Sequence, residues 1–406
     1  MTLPSTFGEL AEKIFDQLPK EQRVDFVTDS YHADSIKAPE RERRGSSAAH
    51  LIKGPSTKIP RDWKIFLMNE RNKENLSEFL LKEWRTEKYA NKLQGKALLF
   101  VCKGTCTQLT SNDGKTVLAK IAHELESNHE EGDTKIVLHL LNIASSRSED
   151  ATITVRSPDT DVFVILLKYS SDVKQRILFD TGVGDKRRLI DVKKVAEIVG
   201  KDICSVLPSL HAFTGCDTTS AFVRKGKLAP LKTLQRNPKF VSTFAQLGVT
   251  VQIPPHVLLD LEEFVCILYR GRSSRTADIN KLRFEKFQER FDASSELLSC
   301  YEGIDMSLLP PCRDSLRMHV QRANYQALVW NTAHKQKPDI PSPVGNGWKK
   351  AADGHRLKIE WTDGHLMPAE LVDVLVDDQS VTDEDDSHGT TELFSYIDFV
   401  FEDEEH

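Results

Sequence analysis

Apolar positions follow two different periods along the first half of the chain. Short apolar runs rich in strand-forming residues occur at residues 23–28, 97–101, 153–155 and 175–180. Helical spacing of three and four residues marks residues 7–18, 129–144 and 190–199. Strands that alternate with helices build a largely parallel sheet with helices packed against it. The pattern therefore predicts an α/β fold with a mostly parallel sheet flanked by helices.

The second half of the chain has a different pattern, in which strand signals fade and helical spacing dominates. Helices are predicted at residues 228–236, 240–247, 257–269, 279–291 and 315–330. Residues 45–95 form a further helical stretch, inserted between two predicted strands, with an apolar stripe that ends at Trp84. Such an insertion is either a packed side element or a mobile cap. We thus expect a helical insertion and a helical C-terminal half.

Two prolines at positions 310 and 311 mark a predicted domain boundary. We expect a domain over residues 1–310, a C-terminal extension over 311–372 with a loop or linker at 338–348, and a tail over 373–406.

The tail contains thirteen Asp and Glu residues and no Lys or Arg, a composition typical of disorder. Residues 1–372 carry 55 basic and 48 acidic groups, a net charge of +7 that suits a polyanionic partner.

The composition also argues against several classes of protein. No stretch reaches the roughly 18 apolar residues that a membrane span needs, and the N-terminus lacks a signal-peptide pattern. The seven cysteines are scattered singly, which is typical of a reducing compartment. Cys102 and Cys106 have no second pair with which to form a zinc site, so we interpret them as packing residues. We expect an intracellular protein without a membrane partner.

Acidic residues recur where predicted strands end and helices begin. They are Asp29, Glu131, Asp133, Asp159, Asp161 and Asp217. Carboxylates gathered at the carboxyl ends of strands repel one another unless a hard cation such as Mg²⁺ or Mn²⁺ neutralises them. Each also has an ordinary explanation, because Asp caps helices and closes turns, and acids favour the first turn of a helix. If they form a site, they must converge within one cleft.

Basic residues follow two of these acids. The first group, which comes after Asp29, comprises Lys37, Arg41, Arg43 and Arg44. The second group, which comes after Asp217, comprises Arg224, Lys225, Lys227 and Lys232. A basic cluster beside an acidic one is typical of phosphate chemistry, whereas a solvated helix face is the alternative for the first group.

The order of these motifs and the residues in them resemble those of a known family. Residues 129–134 read HEEGDT, residues 157–162 read SPDTDV, and residues 207–220 read LPSLHAFTGCDTTS. Together with Asp29 and the basic residues after it, they resemble the flap-endonuclease-like branch of the PIN-like nucleases over residues 20–290. The wording is similar to that of a group of animal proteins present in many copies per genome, which indicates a mobile-element origin.

This resemblance implies a PIN-like, Rossmann-like domain and a role for each motif. Residues 45–95 would take the place of the helical cap, and residues 218–250 that of a helix-turn-helix element that grips duplex DNA. One Mg²⁺ or Mn²⁺ ion would be bound by Asp29, Glu131 and Asp133, and a second by Asp159, Asp161 and Asp217. The scissile phosphate would be contacted by Lys37, Arg43 and Arg44. The nucleic acid would be bound by Arg224, Lys225, Lys227 and Lys232.

The chain also departs from the family's pattern. Nuclease domains of the family begin with a strand whose end supplies one more metal-binding Asp, and residue 1 here already lies at the helix after that strand. We therefore expect either a fragment or an activity that is weak or lost. Gly226 alone represents the glycine pattern of the helix-turn-helix element.

The sequence as a whole predicts a divalent-metal-dependent, structure-selective nuclease. It would hydrolyse phosphodiester bonds of DNA rather than RNA, in flaps or branched structures, and would act in the nucleus rather than the cytoplasm. The alternative is a catalytically inactive PIN-like module that binds nucleic acid and derives from a mobile element. A phosphatase or another metal hydrolase is a third reading, since carboxylates alone do not name the substrate.

Overall fold

The computed structural model describes residues 4–32, 35–39, 48–270, 275–290, 305–352, 354 and 356–364. The chain divides into two units, Met1–Trp361 and Thr362–His406. In the second unit residues 362–364 are described, and there the Gly364 amide donates to the Thr362 hydroxyl. The predicted acidic tail at 373–406 lies outside the described residues. All elements below belong to the first unit.

The first sheet contains four strands in sequence order. They are β1 Arg23–Phe26, β2 Ala97–Cys102, β3 Thr105–Thr110 and β4 Leu118–Ile121. β1 and β2 run parallel, with Val24 opposite Leu98, whereas β2, β3 and β4 are joined as antiparallel hairpins. The residues that alternate toward one face of β2, Leu98 and Phe100, are buried against helices from the N-terminus and the insertion.

These covering helices form one packed layer. They are α1 Phe7–Asp16, α2 Trp63–Met68, α3 Glu70–Trp84 and α4 Ala90–Leu93. Trp84 lies at the centre of the layer, fully buried, and its indole N–H donates to the Ala11 carbonyl over 3.1 Å. The part of the predicted insertion that the structure describes, residues 48–95, is thus a packed side element.

The second sheet has three strands, β5 Thr152–Arg156, β6 Arg176–Thr181 and β7 Arg188–Asp191. β5 and β6 are parallel and β7 is antiparallel to β6. It packs against α6 Thr160–Tyr169 and α7 Val192–Val199. The predicted α/β class is confirmed, but the sheets are mixed rather than mostly parallel. Short loops such as those after β2, β3 and β6 can join only antiparallel neighbours.

Helix α5, Gly132–Ser146, connects the two sheets. Leu138 packs against β2 and β3 of the first sheet, whereas Leu140 packs against β5 and β6 of the second. β1 and β5 are edge strands, and no described strand pairs with their other sides. The N-terminus of α5 lies near the carboxyl ends of β1 and β5, since Gly132 is hydrogen-bonded to Asp29 and Asp133 lies beside Asp159.

The C-terminal half is helical, as its spacing predicts. It contains α8 Lys201–Phe213, α9 Leu228–Arg236, α10 Pro238–Gln246, α11 Pro255–Tyr269, α12 Ile279–Arg290 and α13 Arg313–Asn331. Phe213, Phe264 and Trp330 are buried in one shared core, so α13 packs with the helices that precede the predicted boundary at 310. Among the described residues, no helix combines the length and apolarity that a membrane span requires.

A small hairpin follows α13, in and beyond the segment predicted to be a loop. It consists of β8 Trp348–Lys350 and β9 Leu357–Ile359. Trp348 and Leu357 are buried together with Tyr325 of α13 and with Ile36, which lies near the N-terminus. We call these four residues the Ile36 cluster. The proline- and glycine-rich segment therefore contributes to a packed structure through residues far away in the sequence.

His319 on α13 gives the fold a specific acid sensitivity. The buried imidazole Nε2 lies 2.7 Å from the Phe213 carbonyl and donates to it as the neutral tautomer. Burial, reinforced by the charge of Arg322, lowers the pKa of His319 to about 4. The unfolded chain takes up this proton at about pH 6.5, so stability falls as the pH decreases from about 6.5 to about 4.

We expect this one residue to cost about 3 kcal/mol of unfolding free energy over that interval. Urea unfolding of the wild type and of His319→Gln at several pH values measures it, since glutamine can still donate from the position of Nε2. The variant should lose less stability than the wild type between pH 6.5 and 4. Parallel pH profiles for the two proteins would contradict the assignment.

Candidate metal centre

Three carboxylates meet where α5 and α6 begin. Asp133 lies in the first turn of α5, Asp159 is the N-cap of α6, and Asp161 lies in the first turn of α6. One ligand oxygen from each lies within 4.8 Å of the other two, so one cation could be held by all three. The partial positive charges of both helix N-termini favour acidic side chains here. The structure therefore brings acids of the HEEGDT and SPDTDV motifs into one cluster.

Asp159 caps a helix and belongs to this cluster at the same time. Its Oδ1 accepts a hydrogen bond from the Asp161 amide over 2.8 Å, and its own amide donates to the Ser157 hydroxyl over 3.1 Å. An ionised carboxylate has about four lone-pair sites, so one capping bond leaves room for a cation. The capping and ligand explanations are thus compatible, and the cap fixes the carboxylate at the end of β5.

Lys37 is a charged residue of the same site. Its Nζ lies 3.4 Å from Oε1 of Glu131 and 3.8 Å from Oδ2 of Asp217. Burial alone would lower the pKa of Lys37, but the surrounding carboxylates, Glu131 foremost, raise it far above its ordinary value. The ammonium group is therefore charged, and it pairs with two acids that lie outside the three-carboxylate cluster.

Two buried carboxylate oxygens lack a hydrogen-bond partner among the described residues. They are Oε2 of Glu131 and Oδ2 of Asp133. A buried acceptor without a partner costs about 1–3 kcal/mol, and more when it is charged. The Asp133 oxygen is one that a hard cation held by the three-carboxylate cluster would satisfy, and a donor set made only of carboxylates suits Mg²⁺ or Mn²⁺. The residues present therefore fit a divalent ion of this type.

Three acids of the site resist ionisation because they are buried close to other acids. Burial raises the pKa of Glu131 to about 6, and neighbouring acids add to the effect while Lys37 opposes it. Burial and the charge of Glu131 raise the pKa of Asp133 well above its ordinary value. Burial also raises the pKa of Asp159. Strongly shifted carboxylates that share a cleft are typical of a functional site.

Asp29 holds the start of α5 in place. Its Oδ1 accepts a hydrogen bond from the Gly132 amide over 2.7 Å, and a β-carbon added at Gly132 would lie 3.1 Å from that oxygen. The buried ammonium of Lys135 fixes the same loop by donating to the Thr28 carbonyl and the Ser30 hydroxyl, each over 2.8 Å. Asp29 is thus bonded to the residue between Glu131 and Asp133, and it does not belong to the three-carboxylate cluster.

Asp217 lies on the solvent side of the site, with its side chain 45% exposed. It comes two residues after Gly215, which has a φ of +107° that only glycine adopts easily. A β-carbon added at Gly215 would lie only 2.8 Å from Ala221. The turn after Asp217 is tied down where the Thr218 hydroxyl donates to Gln326 of α13 over 2.7 Å. The charge of Asp217 contributes to the raised pKa of Asp159, so the two acids share one electrostatic environment.

His211 is a site residue that the sequence analysis missed. It lies on α8, and its Nε2 is 2.8 Å from Oδ1 of Asp161, a residue 50 positions earlier. Burial, the largest single influence, would raise the pKa of Asp161, but this hydrogen bond and nearby positive charges, including that of Lys37, together lower it. The ring also packs against Trp330 of α13. A polar residue within the apolar run at 207–213 is the signal that could have identified it.

The predicted nucleic-acid-binding residues have different surroundings. The Lys227 ammonium donates to the carbonyls of His211 and Gly215 and to the Thr214 hydroxyl, and so caps the C-terminal end of α8. Lys225 lies over the Tyr269 ring, 4.1 Å from its centroid. Arg224 and Lys232 are exposed, and Arg224 lies 3.9 Å from Asp305. Arg43 and Arg44, predicted to contact phosphate, lie outside the described residues.

Comparison of the chain with protein-family models, with curated proteins and with solved structures finds no match in any of the three. The function of the chain is therefore inferred from the site itself.

Proposed function

We propose that this chain is a divalent-metal-dependent phosphodiesterase that acts on nucleic acid, with a PIN-like fold of the flap-endonuclease type. The observation that carries the proposal is the cluster of Asp133, Asp159 and Asp161 at two helix N-termini, with the Lys37 ammonium beside it. Two parallel strand pairs end at this point, and acids follow the edge strand of each pair. Ligand sites of open α/β sheets lie at such ends.

In this proposal Asp133, Asp159 and Asp161 hold Mg²⁺ or Mn²⁺. A bound ion of this kind supplies a more acidic water and stabilises charge on a phosphoryl oxygen. The N-cap bond of Asp159 and the His211 bond to Asp161 keep two of the carboxylates oriented, as outer hydrogen bonds do in metal sites. The sequence-based assignment instead paired Asp133 with Asp29 and Glu131, and the geometry supports the different grouping.

The chain's other charged groups serve the phosphate. Hydrolysis adds a water oxygen to phosphorus and breaks one P–O ester bond, and the departing oxygen takes up a proton. Negative charge grows on the phosphoryl oxygens during this exchange, and the Lys37 ammonium is positioned to offset it. Asp217, which is partly exposed, marks the side from which a substrate would approach.

A nucleic acid suits the charge distribution better than a small phosphate ester. Residues 1–372 have a net charge of +7, and Arg224 and Lys232 are exposed on the segment that follows Asp217. We propose DNA as the substrate, with α9 and α10 contacting its backbone in the manner of a helix-turn-helix element, and the nucleus as the place of action. Binding through phosphate contacts should weaken steeply as salt increases.

A cleavage assay tests the proposal directly. Flap, single-stranded and duplex DNA are incubated with the protein in Mg²⁺, in Mn²⁺ and in EDTA, and we expect metal-dependent cleavage that is fastest on the flap. Salt-sensitive binding without cleavage in any metal would favour the inactive nucleic-acid-binding module. Hydrolysis of a small phosphate monoester, with DNA left intact, would favour a phosphatase.

A further inference from the structure

We infer that the site takes a single divalent ion and that the ammonium group of Lys37 occupies the place of a second one. The inference rests on the proposed metal site and concerns how many ions that site accepts. The sequence-based prediction was two ions, each with three acidic ligands. The arrangement of the six acids instead favours one ion bound by three of them and an ammonium group paired with two others.

The acids divide into two sets according to what they face. Asp133, Asp159 and Asp161 face one another, and among the described residues they alone form a group of three or more ligands for one ion. Glu131 and Asp217 face Lys37 instead, with its Nζ 3.4 and 3.8 Å from their oxygens. Asp29 is hydrogen-bonded to the Gly132 amide. Two of the three acids left for a second ion therefore already pair with a cation.

The Lys37 side chain is largely buried and is held in this position by its neighbours. Its side chain is 15% exposed, and the preceding residue, Ile36, is buried in the Ile36 cluster between α13 and the β8–β9 hairpin. The Lys37 amide donates to the Ser35 hydroxyl over 3.1 Å. An ammonium group is buried at high cost unless it is paired, so this lysine and its acids stabilise one another.

A second dication at Glu131 and Asp217 would lie close to the ammonium group, even if it used Oε2 of Glu131, the oxygen that does not face Lys37. The dication and the Lys37 ammonium, with charges of +2 and +1, would repel each other strongly in this partly buried site. Lys37 would then have to leave, and the anchored Ile36 restricts how far its backbone can move. The ammonium thus supplies a permanent positive charge beside the exchangeable ion. Cleavage should accordingly rise with the first power of Mg²⁺ concentration rather than the second.

Counting the bound ions tests the inference without any measurement of activity. Mn²⁺ is titrated into the full chain by calorimetry, with free Mn²⁺ followed by electron paramagnetic resonance. The wild type and Lys37→Arg should bind one ion, and Lys37→Met should bind two. Loss of the ammonium should also tighten the first ion by at least about tenfold, because one repelling charge is removed. Lys88→Met is the matched control, since Lys88 pairs with Glu12 at the surface over 2.9 Å, and it should bind one ion.

Each outcome decides the question. Two ions in the wild type, or one ion in a folded Lys37→Met, would overturn the inference and leave the proposed nuclease standing. If Lys37→Met does not fold, the wild type and Lys37→Arg still decide by their own stoichiometry. No bound Mn²⁺ in the wild type would overturn the inference together with the metal site of the proposed function. One ion without any cleavage of DNA would contradict the proposed activity alone.

Discussion

Replacing Asp159 by asparagine should lower metal-dependent cleavage by about 10²- to 10³-fold, because a metal site supplies several kcal/mol of transition-state stabilisation. Asparagine caps helices as well as aspartate does, so the variant keeps the bond to the Asp161 amide and loses only the anionic ligand. The loss should therefore concern catalysis and metal binding. Unfolding in EDTA should show a stability at least equal to that of the wild type, because one of several repelling carboxylates is gone.

The matched control is Asp62→Asn. Asp62 is also a helix N-cap, and its Oδ1 accepts from the Ile65 amide over 2.9 Å. This variant should cleave at the wild-type rate, and its unfolding temperature should rise with added Mg²⁺ as that of the wild type does. Asp159→Asn should show a much smaller rise. Full cleavage by Asp159→Asn would exclude the three-carboxylate cluster as the catalytic site.

Trp348→Ala should destabilise the protein by about 3–5 kcal/mol, the usual cost of truncating a fully buried tryptophan. Trp348 packs edge-on against Tyr325 with ring centroids 5.5 Å apart, and both belong to the Ile36 cluster. Because Lys37 directly follows Ile36, a cavity beneath Ile36 should loosen the ammonium in the site. A misplacement of about 1 Å can cost about 10²-fold in rate, so cleavage should fall as well.

Urea unfolding and the cleavage assay at a temperature where the variant is folded measure the two effects separately. Trp348→Phe should recover most of both, since it keeps the aromatic contact and removes an indole N–H that has no partner among the described residues. Trp361→Ala is the control, because Trp361 is 57% exposed and lies over Arg322, a contact worth about 1 kcal/mol. Equal losses for Trp348→Ala and Trp361→Ala would show that the Ile36 cluster has no special role.

Features that depend on local periodicity can be predicted from the amino-acid sequence. The apolar spacing at 228–236 predicts the helix that the structure shows as α9 Leu228–Arg236, and the strand-type run at 97–101 lies within β2. Strand ends and helix starts follow from the same periodicity. For that reason the positions of Asp29, Asp133 and Asp159 at such ends could be predicted, since each depends on a few neighbouring residues.

Which of these acids meet, and which residues face them, depends on how the elements pack. The contact between His211 and Asp161 spans 50 residues, and the pairing of Lys37 with Glu131 joins a turn near the N-terminus to the start of α5. No periodicity encodes such pairs, because they arise from the packing of whole elements. Lys227 shows the same limit, because nothing in its sequence context reveals that its ammonium caps α8.

The β8–β9 hairpin makes the distinction clearest. Prolines and glycines at 338–348 remove helical and strand periodicity, so the sequence predicts a loop there. The hairpin becomes ordered because Trp348 and Leu357 are buried against Tyr325 and Ile36, which are brought close only by the rest of the fold. Burial of apolar surface is non-directional and acts between residues at any separation along the chain. The chain thus determines its elements locally, while the support of Lys37 exists only once the elements are packed.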